Sequence, residues 1–380
     1  MKSIGIIAEY NPFTNGHVYH LNKIKEKYID YTIILVLSGN FTQRGIPSII
    51  DKFKRTEIAL KLGIDLVIEL PYPFATQSAD FFAYGAITIL EKLKVEKIIF
   101  GSESDNIDDL ELIAKTQVNN NELDKLIGIY SKLGNNYPTA LSNALFDLTG
   151  KKIETPNDLL GVSYIKTILE NKYNIKYEII KRTNDYHNSI ESATKVREFL
   201  KENKEIKNYV PEIELNYLNN LHFQNDYFNI LKYKIITEDD LSIYQTVDEG
   251  IDKLLKKEIN NATNIDEYIK LIKSKRYTYN KISRMLSHIL CNFTKKDAKN
   301  FKEIKYIRIL GLNLKGRIYL NKVKKEIDIP IISKLLRKKD EMLEFEIKTT
   351  TIYDIISNNN LLKKECEKII YVGDDINDQK

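Results

Sequence analysis

Two patterns alternate along the first hundred residues. Continuous apolar runs rich in isoleucine, leucine and valine fall at 4–8, 31–37, 66–70 and 97–100. Between the first two of them, apolar positions recur three or four residues apart, as at Leu21, Ile24 and Tyr28. Short unbroken β-branched runs mark strands buried on both faces, and the wider spacing marks one face of a helix. Helices are expected from about Thr14 or Asn15, over 51–62 and over 78–93. Another is expected over 156–172, where Pro156 suits a first helical turn, with a fifth strand at 177–180 and a helix opening at Ser192 after it. This alternation predicts an α/β fold with a Rossmann-like parallel sheet covered on both faces. Residues 106–150 read as helical. Beyond about 205 the alternation stops, giving way to amphipathic helical segments at 247–259, 265–274 and 280–293. The expected organisation is an α/β domain over 1–204 and a mainly helical domain over 205–380.

Ligands of open parallel sheets sit beyond the carboxyl ends of the strands. The polar loops at 14–17, 38–44 and 101–104 are therefore expected to meet at one crevice. Charge adds a second feature. The chain of 380 residues carries a net charge of +5, yet between residues 271 and 325 there are 16 Lys or Arg against Asp297 and Glu303. Such a concentration of basic residues suggests a polyanionic partner. Cys291 and Cys366 are too few for a disulfide scaffold and lack metal-ligand spacing, which suits a reducing cytoplasm and no protein-held metal. No run of 18 apolar residues occurs and the chain opens directly into a strand, so neither a membrane span nor a signal peptide is expected.

The chemistry concentrates where the first strand hands over to its helix. Pro12 disfavours helix at Asn11, so Thr14 or Asn15 is the natural cap, and the unpaired N–H groups beyond it form an anion site. Gly16 allows close approach of a phosphate, with Thr14 and His17 on either side. Neither a Walker P-loop nor an ordinary dinucleotide fingerprint occurs elsewhere. Thr14-Asn15-Gly16-His17 resembles the (H/T)-x-G-H signature of the nucleotidyltransferase superfamily, which binds the phosphates of ATP. Ser192-Ala193-Thr194-Lys195-Val196-Arg197 resembles its second signature, I-S-S-T-x-x-R. Here Ala193 replaces one serine, leaving Ser192, Thr194 and Arg197 as side-chain donors.

The resemblance extends further. Ala8-Glu9-Tyr10-Asn11-Pro12-Phe13, the stretch from Leu37 to Gly45, Leu66-Val67-Ile68-Glu69-Leu70-Pro71, Ala75-Thr76-Gln77-Ser78-Ala79, Lys275-Arg276-Tyr277-Thr278 and Ile307-Arg308-Ile309-Leu310-Gly311 are similar to the bacterial tRNA(Met) cytidine acetate ligase family. That family uses ATP to adenylate acetate and passes the acetyl group to N4 of the wobble cytidine of elongator tRNA(Met), forming N4-acetylcytidine. The resemblance implies a catalytic ATP-binding domain followed by a tRNA-binding one, with ATP as cofactor; the phosphate chemistry calls for Mg²⁺ beside it, and no protein partner is indicated. It places ATP contacts on Ile7, Ala8, Glu9, Tyr10, Asn11, Pro12, Phe13, Thr14, Asn15, Gly16, His17, His20, Gly101, Asn157, Arg182 and Thr183, with Ser192 and Thr194 added from the second signature. His17, Thr14 and Arg197 are the expected catalytic groups. Thr14 departs from the histidine usual there, which shifts weight onto His17.

Gln77 and Ser78 are candidates for acetate by location. RNA loops are read by stacking on aromatic rings and by cationic contacts, so Lys275, Arg276, Tyr277, Tyr279, Arg284, Arg308, Lys315 and Arg317 are the candidate RNA surface. A solvated helix face is the plain alternative for each. Two other classes remain open: a small-molecule adenylyltransferase of the pantetheine-phosphate or nicotinamide-mononucleotide type, and a catalytically silent RNA-binding protein. Magnitudes separate the two roles open to His17. Losing a directed donor in a transition state costs about 10²–10³ in rate, whereas a histidine at a solvated helix end is worth under about 1 kcal/mol of folding. His17→Ala is expected to keep the fold and lose turnover; normal activity in the variant would return His17 to an ordinary surface role.

Overall fold

The computed structural model describes residues 2–182, 192–334, 340–357 and 359–373. The five apolar runs form β1 (Ser3–Ala8), β2 (Thr32–Ser38), β3 (Leu66–Leu70), β4 (Lys97–Ser102) and β5 (Lys176–Lys181). They are parallel and lie in the order β5-β4-β1-β2-β3. Every residue of β2 and β3 is buried, as a central strand between two helical layers requires. The edge strand β5 is only half-buried. The expected helices are present as Asn15–Lys27, Lys52–Lys61, Ala79–Lys92, Pro156–Glu170 and Ala193–Lys201, and the stretch after β4 forms Ile107–Gln117, Asn121–Lys132 and Tyr137–Thr149.

The later half is mostly helical, but it also returns to the sheet. β6 (Ile307–Leu312) pairs antiparallel with β3, while β7 (Ile331–Ile332) and β8 (Ile370–Tyr371) both pair with β6. All six residues of β6 are buried. A separate apolar cluster is confined to residues 228–289, and side chains from 291 to 361 join the core around the sheet instead. The two cores therefore do not part at 204/205, because the apolar run at 307–312 finds its partner on the open edge of β3 rather than among the later helices.

The direction of β6 determines where the next helix starts. Leu312 pairs with Leu66 at the amino end of β3, so the helix Leu314–Val323 begins at the end of the sheet away from the crevice. It is pinned there by Asn313 Nδ2 donating to Asp65 Oδ1 at 2.8 Å and by Tyr319 Oη donating to the Leu93 carbonyl at 2.8 Å. A Cβ on Gly316 would lie 2.0 Å from the Asp65 carbonyl oxygen, so only glycine permits this approach.

At the other end, Arg55 is 1% exposed and gathers the outgoing chain. Its Nη1 donates to the Glu9 carbonyl at 2.6 Å, its Nη2 to the Gly39 carbonyl and to Ser48 Oγ, and its Nε to the Ile50 carbonyl at 3.2 Å. Removing this guanidinium would leave several buried carbonyls unpaired. Arg55→Met is expected to lower unfolding free energy by about 3–5 kcal/mol, measured by urea denaturation. A loss below about 1 kcal/mol would mean that the strand ends hold themselves.

Candidate active site

β1 lies between β2 and β4, so the chain connections on its two sides diverge and a crevice opens at its carboxyl end. Ile7 and Ala8 end the strand there. Tyr10 then adopts φ 44°, a left-handed conformation that costs a non-glycine residue about 1–2 kcal/mol. Its ring packs 3.9 Å from that of Phe13, which holds the turn. The Asn11–Pro12 peptide is cis. Asn11 is gripped from two sides: its Oδ1 accepts the Ile49 N–H at 2.7 Å and its carbonyl accepts Arg197 Nη1 at 2.5 Å.

Thr14 caps the first helix, and this cap decides the state of His17. The Thr14 amide donates to His17 Nδ1 at 3.0 Å. An amide N–H can only donate, so Nδ1 is unprotonated and the neutral ring carries its proton on Nε2. Thr14 Oγ1 lies 3.2 Å from the same Nδ1. Tyr10 and Phe13 meet the imidazole edge-on at 5.0 and 5.6 Å. Thr14 is itself buried, so its hydroxyl braces His17 rather than facing the crevice. The Asn15 amide is also engaged, donating to the Tyr209 carbonyl at 2.9 Å. The fully open anion site expected at this helix end is thus narrowed, because the segment around Tyr209 folds back onto the turn.

One turn along, His20 Nε2 is buried with no hydrogen-bond partner among the described residues, leaving it open to a water, an ion or a ligand. Burial, assisted by the Arg182 guanidinium and the His20 ring, lowers the His17 pKa to about 3. Burial and Arg182 lower that of His20 to about 4. Both rings are therefore neutral donors or acceptors at physiological pH.

Arg182 reaches this place from the end of β5, and Gly101 makes room for it: a Cβ there would be 3.0 Å from Arg182 Cγ. The loop after β4 is organised by Asp158. Its carboxylate accepts from Ser102 Oγ at 2.5 Å, from Thr155 Oγ1 at 2.7 Å and from the Ser104 amide at 3.0 Å. Those hydrogen bonds outweigh its burial and hold its pKa below the usual carboxylate range. Asn157 Nδ2 donates to Glu103 Oε1, which lies 3.6 Å from Arg182 Nε. Gly101, Asn157 and Arg182 are thereby brought together.

Asp158 organises this candidate site without being singled out by sequence reasoning, which places Glu103 only within the 101–104 loop. Asp158 sits in a helix-opening tetrapeptide whose residues look like ordinary capping, and its partners across the loop are 54 to 56 positions away.

The second signature meets the first through Arg197, whose Nη2 also donates to Thr194 Oγ1 at 3.0 Å. Ser192 caps that helix by accepting the Lys195 amide at 3.2 Å. Thr183 lies outside the described residues. Gln77 is linked to the crevice by Gln43, whose amide donates to Glu9 Oε1 at 2.6 Å and whose Nε2 donates to the Gln77 carbonyl at 2.8 Å. Ser78 is the exposed cap of Ala79–Lys92.

The basic candidates separate. Lys275 and Arg276 are exposed, with Arg276 Nη1 3.3 Å from Glu249 Oε2. Tyr277 does not present its ring: it is 5% exposed in the helical core, with its hydroxyl on the Asp248 carbonyl at 2.7 Å. Tyr279 remains partly accessible and donates to Asp266.

Arg308 is also withdrawn, since β6 buries it against Glu365 at 2.9 Å. Lys315, which donates to the Tyr31 carbonyl at 2.7 Å, and Arg317 belong to the helix at the opposite end of the sheet. An aromatic ring that sequence reading passes over is better placed. Asn136 Nδ2 donates to the Lys275 carbonyl at 3.2 Å, and Tyr137 beside it is 60% exposed.

A Rossmann-like crevice with a cap-braced imidazole defines a nucleotidyltransferase, and the family model described as HIGH Nucleotidyl Transferase matches residues 1–368. Within that class the chain belongs to the tRNA(Met) cytidine acetate ligase family. It is 38% identical over 378 residues to the tRNA(Met) cytidine acetate ligase of Anoxybacillus flavithermus, covering 93% of this chain and 94% of the relative. It is 39% identical over 393 residues to that of a Geobacillus species, covering 96% and 98%. Thermotoga maritima TmcAL, solved bound with alpha-thio ATP, superposes with a TM-score of 0.90 at 30% identity, covering 98% of this chain and all of the other.

The lowered histidine pKa values make stability depend on pH. Below the ordinary histidine pKa of 6.5 the unfolded chain binds protons that folded His17 and His20 refuse, so stability falls as pH drops through that value toward 4. NMR of the histidine rings is expected to find His17 in the neutral Nε2–H form at pH 6. A His17 midpoint near 6.5 would contradict the assigned environment.

Proposed function

We propose that this chain is an ATP-dependent ligase that adenylates acetate and transfers the acetyl group to N4 of the wobble cytidine of elongator tRNA(Met). The observation that carries the reading is the neutral His17 imidazole, with Nδ1 committed to the Thr14 amide, at the β1–β4 crevice of a chain similar over nearly its whole length to ligases of that name. Acetate is a weak acyl donor, so it must be activated first. Its carboxylate oxygen attacks the α-phosphorus of ATP, the bond to the β-phosphate breaks, and pyrophosphate departs. The cytosine amine then attacks the acyl carbon, loses a proton and releases AMP.

The protein's part is alignment and neutralisation of charge on phosphate oxygens. In this reading His17 Nε2–H and Arg197 face those oxygens as catalytic groups, and Thr14 is a positioning residue acting through His17. Ile7 to Phe13, Asn15, Gly16, His20, Gly101, Asn157, Arg182, Ser192 and Thr194 shape the ATP site, with Thr183 proposed from the family alone. Gln77 and Ser78 are the acetate candidates, supported by the Gln43 bridge to Glu9.

Among the described residues no three His, Cys, Asp or Glu side chains converge on one point. Mg²⁺ would therefore arrive on the triphosphate, held largely by its oxygens and water, and supply charge neutralisation there. Among the described helices none is long and apolar enough to cross a membrane; the reaction belongs in the cytoplasm, where tRNA and ATP meet.

Incubation with ATP, labelled acetate and elongator tRNA(Met) tests the reading. Label retained in the RNA with release of AMP and pyrophosphate is expected. Pyrophosphate release onto a small acceptor, or RNA binding without ATP turnover, would replace it with one of the two other classes.

A further inference from the structure

Two arginines are explained by neither the fold nor the crevice. Arg44 lies in the loop between β2 and the helix Lys52–Lys61, and Arg284 lies in the helix Tyr279–Cys291 of the separate helical cluster. A close backbone contact brings the two segments together. Gly45 has φ 76°, and a Cβ on it would fall 2.6 Å from Arg284 Cα and 2.7 Å from the Ser283 carbonyl oxygen. Both side chains are half-buried, and neither has a hydrogen-bond or ion-pair partner among the described residues.

Their electrostatic surroundings are unusual as well. After burial, Arg44 is the influence that lowers the Arg284 pKa, with no carboxylate to oppose it. Arg44 also acts on Arg197, the arginine that grips Asn11. Arg44 is thus the shared neighbour of a crevice cation and a cation from the helical cluster. Two half-buried guanidinium groups without a counter-ion repel each other in the free protein, and an anion between them removes that repulsion. Their planar donor forks match phosphate oxygens.

We propose that Arg44 and Arg284 together bind a backbone phosphate of the RNA substrate at the mouth of the crevice, holding the anticodon loop so that its target base reaches the acyl-adenylate. This rests on the reading in which RNA is the acetyl acceptor. An RNA phosphate is favoured over the triphosphate of ATP because Arg284 comes from the helical cluster, whereas His17, Arg182 and Arg197 already serve the crevice itself. The site replaces Arg308 and Lys315 as the place where the basic half of the chain meets nucleic acid.

The test compares wild type with Arg44→Gln and Arg284→Gln in equilibrium binding of elongator tRNA(Met) transcript at several salt concentrations. ATP affinity is measured separately without RNA, and thermal melting checks the fold. Each variant is expected to bind tRNA about tenfold more weakly and to lose about 0.7 from the log–log salt slope, with ATP affinity within about twofold. Arg284→Lys keeps the stem and charge, so it is expected to retain the salt slope while losing affinity, because the planar fork is gone. Unchanged tRNA affinity and slope in folded variants would overturn the proposal, as would an equal loss of ATP affinity. Failure of the wild type to bind or acetylate the tRNA would instead overturn the reading on which it rests.

Discussion

The structure depends first on one buried cation. A guanidinium taken out of water is costly unless its donors are met and its charge is balanced. Arg55 meets the first condition with carbonyls from Glu9, Gly39 and Ile50. Carboxylates at Asp51 and Glu9 contribute to the second, although burial still lowers its pKa overall. The acceptors matter because of where they are. Glu9 comes directly after β1 and Gly39 directly after β2, so one side chain fixes the relative exit of the two central strands. The turn carrying His17 begins at Tyr10, next to Glu9, and the loop carrying Arg44 begins at Gly39. Both halves of the site therefore take their positions from a residue that touches neither substrate nor solvent.

A second buried network ties the end of the chain to the same region. Lys52 Nζ lies 2.5 Å from both Glu69 Oε1 and Glu365 Oε1, and Arg308 reaches the other oxygen of Glu365. Burial would strip Lys52 of its proton, but Glu365 and Glu69 overcome that and raise its pKa. Burial also opposes ionisation of Glu365, which Lys52 and Arg308 reverse. Glu346 is only partly compensated: burial and the nearby Glu69 raise its pKa, against Lys52 and the Tyr72 N–H that donates to it. Lys52 and Arg308 set two cations against the carboxylates of Glu69 and Glu365, a pairing that makes their burial tolerable. Its members come from β3, β6 and the helices Lys52–Lys61, Glu341–Asp354 and Leu361–Cys366, so the last part of the chain is locked beneath the loop that begins at Ser38.

These two networks also explain what sequence can and cannot reveal. Strands β1 to β5 are legible because each is a short apolar run between glycine, proline or polar breaks, and the helices after Thr14, Asp51 and Ser192 open within a residue of where they are expected. The motif turn is legible because its chemistry is local: a cap, a glycine and an imidazole within four residues. The RNA surface is not. Arg308 belongs to a basic stretch by composition, but an alternating strand sends its side chain inward to Glu365. Tyr277 comes after two exposed cations, yet its hydroxyl finds a buried carbonyl 29 residues earlier. Lys315 departs for a third reason: the antiparallel direction of β6 carries the chain to the wrong end of the sheet. Each departure stems from a partner distant in sequence, which charge counting cannot register.

His17 sits where these constraints meet. Placed in the field of Arg182, a buried protonated imidazole would add a second cation that burial already disfavours. The protein keeps the ring neutral by burying it, and uses the backbone of its own cap to direct the remaining proton outward. A neutral Nε2–H can donate to an oxygen that gains charge as a bond breaks, without binding the ground-state triphosphate as tightly as another cation would. In the proposed reaction Arg182 and Arg197 supply the constant attraction for the triphosphate, and the imidazole supplies a directed donor whose value rises as the bond breaks. That division of labour needs the Thr14 amide, which holds Nδ1, more than the Thr14 side chain.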